Sequence, residues 1–211
     1  TSRGLGDVYK RQVPVIPALL ATAALHNRLI ADNLRAKCNI VVNTASARDN
    51  HQIACLISFG ATCVHPWLGL QTILKISNKI ESELTSNELC ASYRKCLNKG
   101  LLKIMSKMGI SNVSSYRGSG LFEVIGFSDR VNALCFPANN SLIKGDCFID
   151  LHKKTMQTIH SSFDDNSVAK GLHKFKHNGE DHAYNPDVVM SLQAAVVSGD
   201  YADYRLYAAT C

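Results

Sequence analysis

The sequence predicts an α/β protein built from parallel βα units. Two short apolar, β-branched runs, Cys38–Asn43 and Ala61–Val64, are each followed by a helical pattern, and a second helix-then-strand stretch opens at Tyr93. Strand, helix, strand, helix at this spacing marks an α/β layer with parallel strands.

The elements follow in chain order. Thr1–Gln12 has no periodicity and no cap, so it reads as a cloning or adapter scar and is set apart from the fold. Pro17 opens a buried helix that runs to about Asn33, because the first helical turn tolerates the missing N–H of proline. Cys38–Asn43 reads as a buried strand. Asp49 caps a helix through Phe59 that ends at Gly60. Ala61–Val64 is the next strand, stopped by His65-Pro66, and Leu68–Ser77 is helical. Residues 78–92 turn polar and read as a linker.

Tyr93–Lys107 forms a basic amphipathic helix with Leu97, Leu101, Ile104 and Met108 opposite its lysines. Gly109 ends it, Ile110–Ser115 reads as a strand and Gly118–Ile125 as a short helix. Ser128–Asp146 lacks a period, Cys147–Ser161 looks helical and Ser161–Ser167 is loop. Asn178-Gly179 is placed for a hairpin within Phe175–Tyr184. Asn185-Pro186 opens a helix from Asp187 to Val197, and Asp200 caps the last one.

Composition narrows the function classes. With 46% hydrophobic and 19% charged residues the chain has material for a real core. No window reaches the roughly 18–20 uninterrupted apolar residues that span a bilayer; Val13–Leu25 is shorter and holds two prolines, so no membrane role is expected. The net charge is +6, yet the cations are spread and few aromatics lie among them, which argues against nucleic acid. Lys95, Lys99, Lys103 and Lys107 share one helical face, either a solvated exterior or a surface for an acidic partner or cofactor phosphate. The eight cysteines include no C-x-x-C and mostly lie in apolar runs, where a thiol acts as a small buried hydrophobe. A reducing, intracellular compartment follows from that usage.

Recognised catalytic motifs are mostly absent from the sequence. No nucleophile elbow, zinc helix or phosphate loop occurs. Gly118 and Gly120 make half of a dinucleotide fingerprint, but Glu123 holds the third glycine position. His26, His51 and His65 read as packed or capping residues. His173, His177 and His182 have Lys174 and Lys176 among them, which would repel a metal cation. The strongest local feature is Lys107–Gly118, a strand ending in a polar, glycine-punctuated turn, and binding groups gather at such ends in a parallel barrel. Arg117 there suits a phosphate or carboxylate through its planar fork, or it pairs with Glu123 or Asp129 and holds the loop.

Lys99–Ser111 (KGLLKIMSKMGIS) followed by Ser115–Gly118 (SYRG) resembles the large subunit of glutamate synthase, whose FMN-binding domain opens on closely similar runs. Ile16–Ala21, Ala24–His26 and Phe59–Ala61 resemble the end of that family's central domain, and His177–His182, Asn185-Pro186 and Ser198–Ala202 resemble a downstream stretch. The resemblance implies an incomplete TIM-type FMN barrel preceded by the C-terminal part of an α/β central domain. Residues 13–77 then belong to the central domain, 78–92 to the linker and 93–211 to the start of the FMN-binding domain.

By the same resemblance, the parent enzyme makes two glutamates from glutamine, 2-oxoglutarate and two electrons. FMN carries the hydride and a 3Fe-4S cluster relays electrons from ferredoxin or an NAD(P)H-linked flavoprotein subunit, in the cytoplasm or plastid stroma. Met108, Gly109, Ile110 and Ser111 would line the flavin on the first barrel strand, with Arg117 at the barrel mouth. The family's nucleophilic cysteine is expected upstream and its cluster cysteines downstream. Cys90 and Cys96 have their six-residue spacing, but Leu101 stands at the third position. A barrel needs about 250 residues, so the fragment alone is expected to be inactive. Three departures mark the chain. Ser119–Glu123 lacks the family's glutamine, Cys135–Gly145 lacks its arginine and one glycine, and Asn43–Gln52 keeps little of the family's central-domain motif. They leave a second reading, a non-catalytic α/β scaffold derived from the family.

Overall fold

The first helix, α1 (Ala18–Ala31), follows Pro17 and packs on α2 (Asn50–Ser58), with Ala18, Leu19 and Leu29 against the cluster that holds the α2 core residues. The computed structural model describes residues 15–77, 84–139, 141–161 and 174–210, so the expected scar at 1–12 and loop at 161–167 lie outside the described residues, apart from Ser161. A 3-10 turn at Arg35–Lys37 leads into β1 (Val41–Asn43). After α2 comes β2 (Cys63–His65), then α3 (Trp67–Ser77). The strands are parallel, with Val41 opposite Cys63, Val42 opposite Val64 and Asn43 opposite His65. The expected α/β layer with parallel strands is therefore present, although helices dominate and each strand is only three residues long.

Asp49 caps α2 as a capping box: its side chain accepts from Gln52 N at 2.8 Å, and Gln52 Oε1 accepts from Asp49 N at 3.3 Å. Gly60 ends the helix with φ +112°, and a Cβ there would lie 2.4 Å from the His26 ring. Both the backbone and the space thus require glycine.

The next helix, α4, runs Ser86–Lys107 and begins on a Thr85–Glu88 capping box. It therefore starts before Tyr93, and its first two turns fall within the polar stretch 78–92. The polar residues there are helix-start signals, because Thr85 and Glu88 stand at the N-cap and N3. Leu97, Leu101 and Met105 are buried, while Ile104 is half-buried and Met108 exposed. A long helix shifts its core face around the axis, so Met105 takes the place expected of Met108. The lysines at 95, 99, 103 and 107 are all exposed. Gly100 lets α4 approach α2; a Cβ there would come 2.0 Å from Asn50 Nδ2.

Two corrections follow α4. Ile110–Ser115 is not a strand: after a bend, Asn112 caps the single turn α5 (Val113–Tyr116) with 2.8 Å between its Oδ1 and Ser114 N. Gly118–Ile125 is not a helix, since Gly118 and Gly120 have φ of +72° and +58°. The aperiodic stretch that follows holds α6 (Asp129–Cys135) and a parallel bridge between Phe127 and Asp146. Gly126 N donates to Ile143 O at 2.9 Å and Gly126 O accepts from Asp146 N at 2.8 Å. Gly145 is needed at this approach, because a Cβ would lie 2.4 Å from Gly126 O. Then comes α7 (Phe148–Ser161), with Lys154 paired to Asp146.

The core has two clusters. Ile40, Val42, Ile53, Leu56, Leu101 and Tyr116 anchor the first, between the strand pair, α2 and α4. Leu20, Phe59, Val124, Val131 and Phe136 anchor the second, with Phe59 and Phe136 edge to face at 4.9 Å. Each fully buried side chain of this size contributes about 1.5–3 kcal/mol. Among the described cysteines only Cys135 is buried; Cys38, Cys63 and Cys96 are exposed and all seven are free thiols. Beside exposed Cys96 it is Leu97 that is buried, and strand alternation likewise turns Cys63 outward beside the partly buried Val64.

Residues 1–159 form one compact unit and 160–211 another. In the second, α8 (Pro186–Ser198) starts at Asn185, whose Oδ1 accepts from Val188 N at 2.9 Å, and packs on α9 (Tyr201–Thr210). Asp200 caps α9 by accepting from Ala202 N at 3.0 Å. The expected hairpin around Asn178-Gly179 is a tight turn without strands, closed by Gly179 N on Lys176 O at 3.0 Å. The Phe175 ring takes His177 and His182 on its edges, at 5.1 and 6.1 Å, in place of cross-strand pairing. His173 is outside the described residues.

Candidate functional site

The residues singled out in the sequence lie on the segment that leaves α4. Ile110 N donates to Met105 O at 2.9 Å while Gly109 sits at φ +71°, the closure of a Schellman turn. Ile110 folds back on the first core cluster. Met108, Gly109 and Ser111 are exposed, and so is Arg117 at the end of α5. The structure thus brings Met108 to Ser111 onto one turn and sets Arg117 one helical turn further on. Arg117 makes no ion pair with Glu123 or Asp129 among the described residues; Asp129 binds Lys144 at 2.7 Å. A flavin cradle is not closed by these five residues. The missing side chain of Gly109 faces open space, and none of the five lines either of the two cavities described below.

What fixes this segment is its attachment to α2. Tyr116 is fully buried and its hydroxyl donates to Ala54 O at 3.1 Å, with burial first and Cys55 second pushing the phenol up to about 12. Gly118 N donates to Ile57 O at 3.2 Å and Gly120 N to Ser58 O at 3.0 Å. The buried Ser58 hydroxyl meets Ser119 Oγ at 3.2 Å and accepts from Leu121 N at 3.3 Å. This seam is absent from the sequence reading, since its signal is only a serine in an apolar helix and two glycines.

His26 sits where these parts join. Arg35 Nε donates to His26 Nδ1 at 2.9 Å, and Arg35 also reaches Gly60 O and Cys38 O, each at 2.8 Å. The ring covers Gly60 and Gly118. Burial first, and then the Arg35 charge, hold the imidazole below its ordinary value. His51 lies edge-on to Phe122 at 5.5 Å, and Asn43 Oδ1 accepts from His65 Nδ1 at 2.8 Å. Of the three expected as packed or capping, His26 is packed, whereas His51 and His65 are exposed and none caps a helix. No group of three or more His, Cys, Asp or Glu among the described residues could hold a metal ion. No described helix is long and apolar enough to cross a membrane.

Two cavities accompany these features. One, of about 340 Å³, is almost wholly apolar and lies between α1, α6 and α7, against Leu20, Leu134 and Leu151. The other, of about 690 Å³, lies beyond the carboxyl end of β2 between α3 and α4, with His65, Trp67 and Arg94 in its wall.

Comparison with known proteins adds the family. The model of the glutamate synthase central domain matches residues 6–128, a range that includes Met108 to Ser111 and Arg117. The chain is similar to the glutamate synthase [NADPH] large chain of Azospirillum brasilense, 38% identical over 91% of this chain. It is 35% identical, over 92% of its length, to the ferredoxin-dependent glutamate synthase 1 of Arabidopsis thaliana. The [NADPH] large chain of Bacillus subtilis (strain 168) is 35% identical over 91%. The matched stretch spans 13% of each of these relatives.

Proposed function

The chain belongs to the glutamate synthase family, and on that premise we propose that it is an internal part of a glutamate synthase large chain. The observation that carries this is the alignment over nine-tenths of the chain with large chains of one named activity. The proposed reaction is the reductive transfer of the glutamine amide nitrogen to 2-oxoglutarate, giving two glutamates. Relatives named for NADPH and for ferredoxin support an electron donor of one of those two kinds. A cytoplasmic or plastid setting fits relatives of bacterial and chloroplastic name.

FMN, held in a TIM-type barrel, supplies hydride transfer in the proposed parent, and a 3Fe-4S cluster supplies electrons to it. Met108, Gly109, Ile110, Ser111 and Arg117 are the proposed flavin-facing edge of this chain, with the remaining walls contributed by other segments. What the chain's own residues do is hold that edge still. The Schellman turn fixes Ile110, and the Ser58 seam with the Tyr116 hydroxyl fixes the segment that carries Arg117. In our reading the 93–211 stretch opens the FMN-binding domain. The chain alone is proposed to be inactive.

A chimera tests this: residues 15–210 replace the matching stretch of the Azospirillum brasilense large chain. Retained glutamine- and 2-oxoglutarate-dependent NADPH oxidation is expected. A folded, flavin-containing chimera without that activity would reject the catalytic reading. It would favour the alternative of a non-catalytic α/β scaffold, for which the missing glutamine in Ser119–Glu123 and the missing arginine in Cys135–Gly145 speak.

A further inference from the structure

The larger cavity has the makings of a ligand site that the family reading does not use. In open α/β layers ligands settle outside the carboxyl ends of the strands, where the loops diverge. Here the carboxyl ends are Asn43 and His65, paired in register, and the cavity opens directly beyond His65. Its volume, about 690 Å³, falls in the range of small-molecule sites.

The walls are fixed before any ligand arrives. The Tyr93 hydroxyl donates to Arg48 O at 2.9 Å and lies over Gly69, where a Cβ would come 2.6 Å from it. At the far end Ser77 Oγ and Ser86 Oγ meet at 3.0 Å, tying α3 to α4. A cleft held at both ends loses little freedom on binding.

Its chemistry selects the ligand. Ile53, Val64, Leu70 and Leu97 give an apolar floor, and Trp67 adds a flat aromatic wall. Among the described residues no carboxylate lines the cleft, and the one permanently charged group there is Arg94. Arg94 has no ion pair or hydrogen bond among the described residues, so its fork is open to a planar anion. A phosphate-rich ligand would want several cations or a glycine loop, and a metal would want three or more acidic, thiolate or imidazole groups; among the described residues the cleft offers one permanent cation, Arg94, and only Cys90 and His65 as metal-type donors.

We infer that the cleft between the end of β2, α3 and α4 binds a small organic carboxylate with a flat apolar body, Arg94 taking the carboxylate and Trp67 packing on the body. This inference stands apart from the glutamate synthase reading, which assigns no ligand to these residues. Trp67 is the chain's single tryptophan, so its emission reports the cleft.

The test titrates the full chain with 4-iodobenzoate and with neutral 4-iodobenzyl alcohol, the iodine quenching Trp67 on contact. The expected result is saturable quenching by the carboxylate, with the alcohol weaker by about tenfold, the share of one charge-assisted hydrogen bond. Arg94 is exposed and bonds to no other described residue, so in Arg94→Gln the carboxylate should fall to the level of the alcohol. Linear, unsaturable quenching would overturn the site. Equal binding of the two probes to the unmodified chain, or full carboxylate binding by R94Q, would overturn the role of Arg94 and the carboxylate class with it.

Discussion

At the scale of single residues, His26 is the group whose chemistry reaches furthest. Its Nδ1 accepts from Arg35, so the neutral ring carries its proton on Nε2, and a second proton would set two donors against each other. Arg35 is the charged group that faces the ring, while the neutral backbones of Gly60 and Gly118 lie beneath it. Because the folded chain holds the imidazole below its ordinary value of 6.5, the unfolded chain takes up the proton first. The stability tied to this histidine is therefore present above 6.5 and is lost as the pH falls through it toward the folded value. Urea unfolding at about pH 8 and about pH 5.5 should show a larger drop in midpoint for the native chain than for His26→Gln. Parallel drops would mean that the contact has no such effect. The sequence marks His26 as packed, but it does not reveal Arg35 as its partner, since that pairing depends on the 3-10 turn bringing residue 35 back over α1.

At the scale of elements, caps and glycines were the readable signals. Asp49, Asn185 and Asp200 each occupy the cap position that the residue pattern predicts, because a short acceptor side chain before an apolar period has few other uses. Asp49→Ala should cost about 1 kcal/mol of unfolding free energy, measured by urea titration; an unchanged midpoint would show that the capping box on α2 carries no weight. The misreadings share one cause. Ile110 and Val113 look like strand residues, yet Ile110 is the apolar plug of a helix-ending turn and Val113 opens a single helical turn. Local β propensity yields there to hydrogen bonds with α2 from residues some sixty positions away in sequence. The five expected flavin contacts rest on resemblance. The exposure of Met108, Gly109, Ser111 and Arg117, the packing of Ile110, and the seam that anchors the segment carrying Arg117 follow from tertiary packing.

At the scale of the whole molecule, the two units differ in how much they bury. Among the described residues, unit 160–211 buries only Val188 of α8's first turn and Ala195 near its end, whereas residues 1–159 hold both core clusters. So small a core gives little margin of its own. Far-UV circular dichroism, which sees every helix, should begin its urea transition at a lower concentration than Trp67 emission, which reports the first unit alone. Coincident curves would show that the two unfold as one. The three-residue strands carry a different consequence, one of timing. Val41 and its partner Cys63 meet only when the chain between them has coiled into α2 and folded back, and a ladder this short cannot persist on its own. Pulse-labelling hydrogen exchange during refolding should therefore find the amides of β1 and β2 protected later than those of α2 and α4; simultaneous protection would show that the short ladder is not the last part to form.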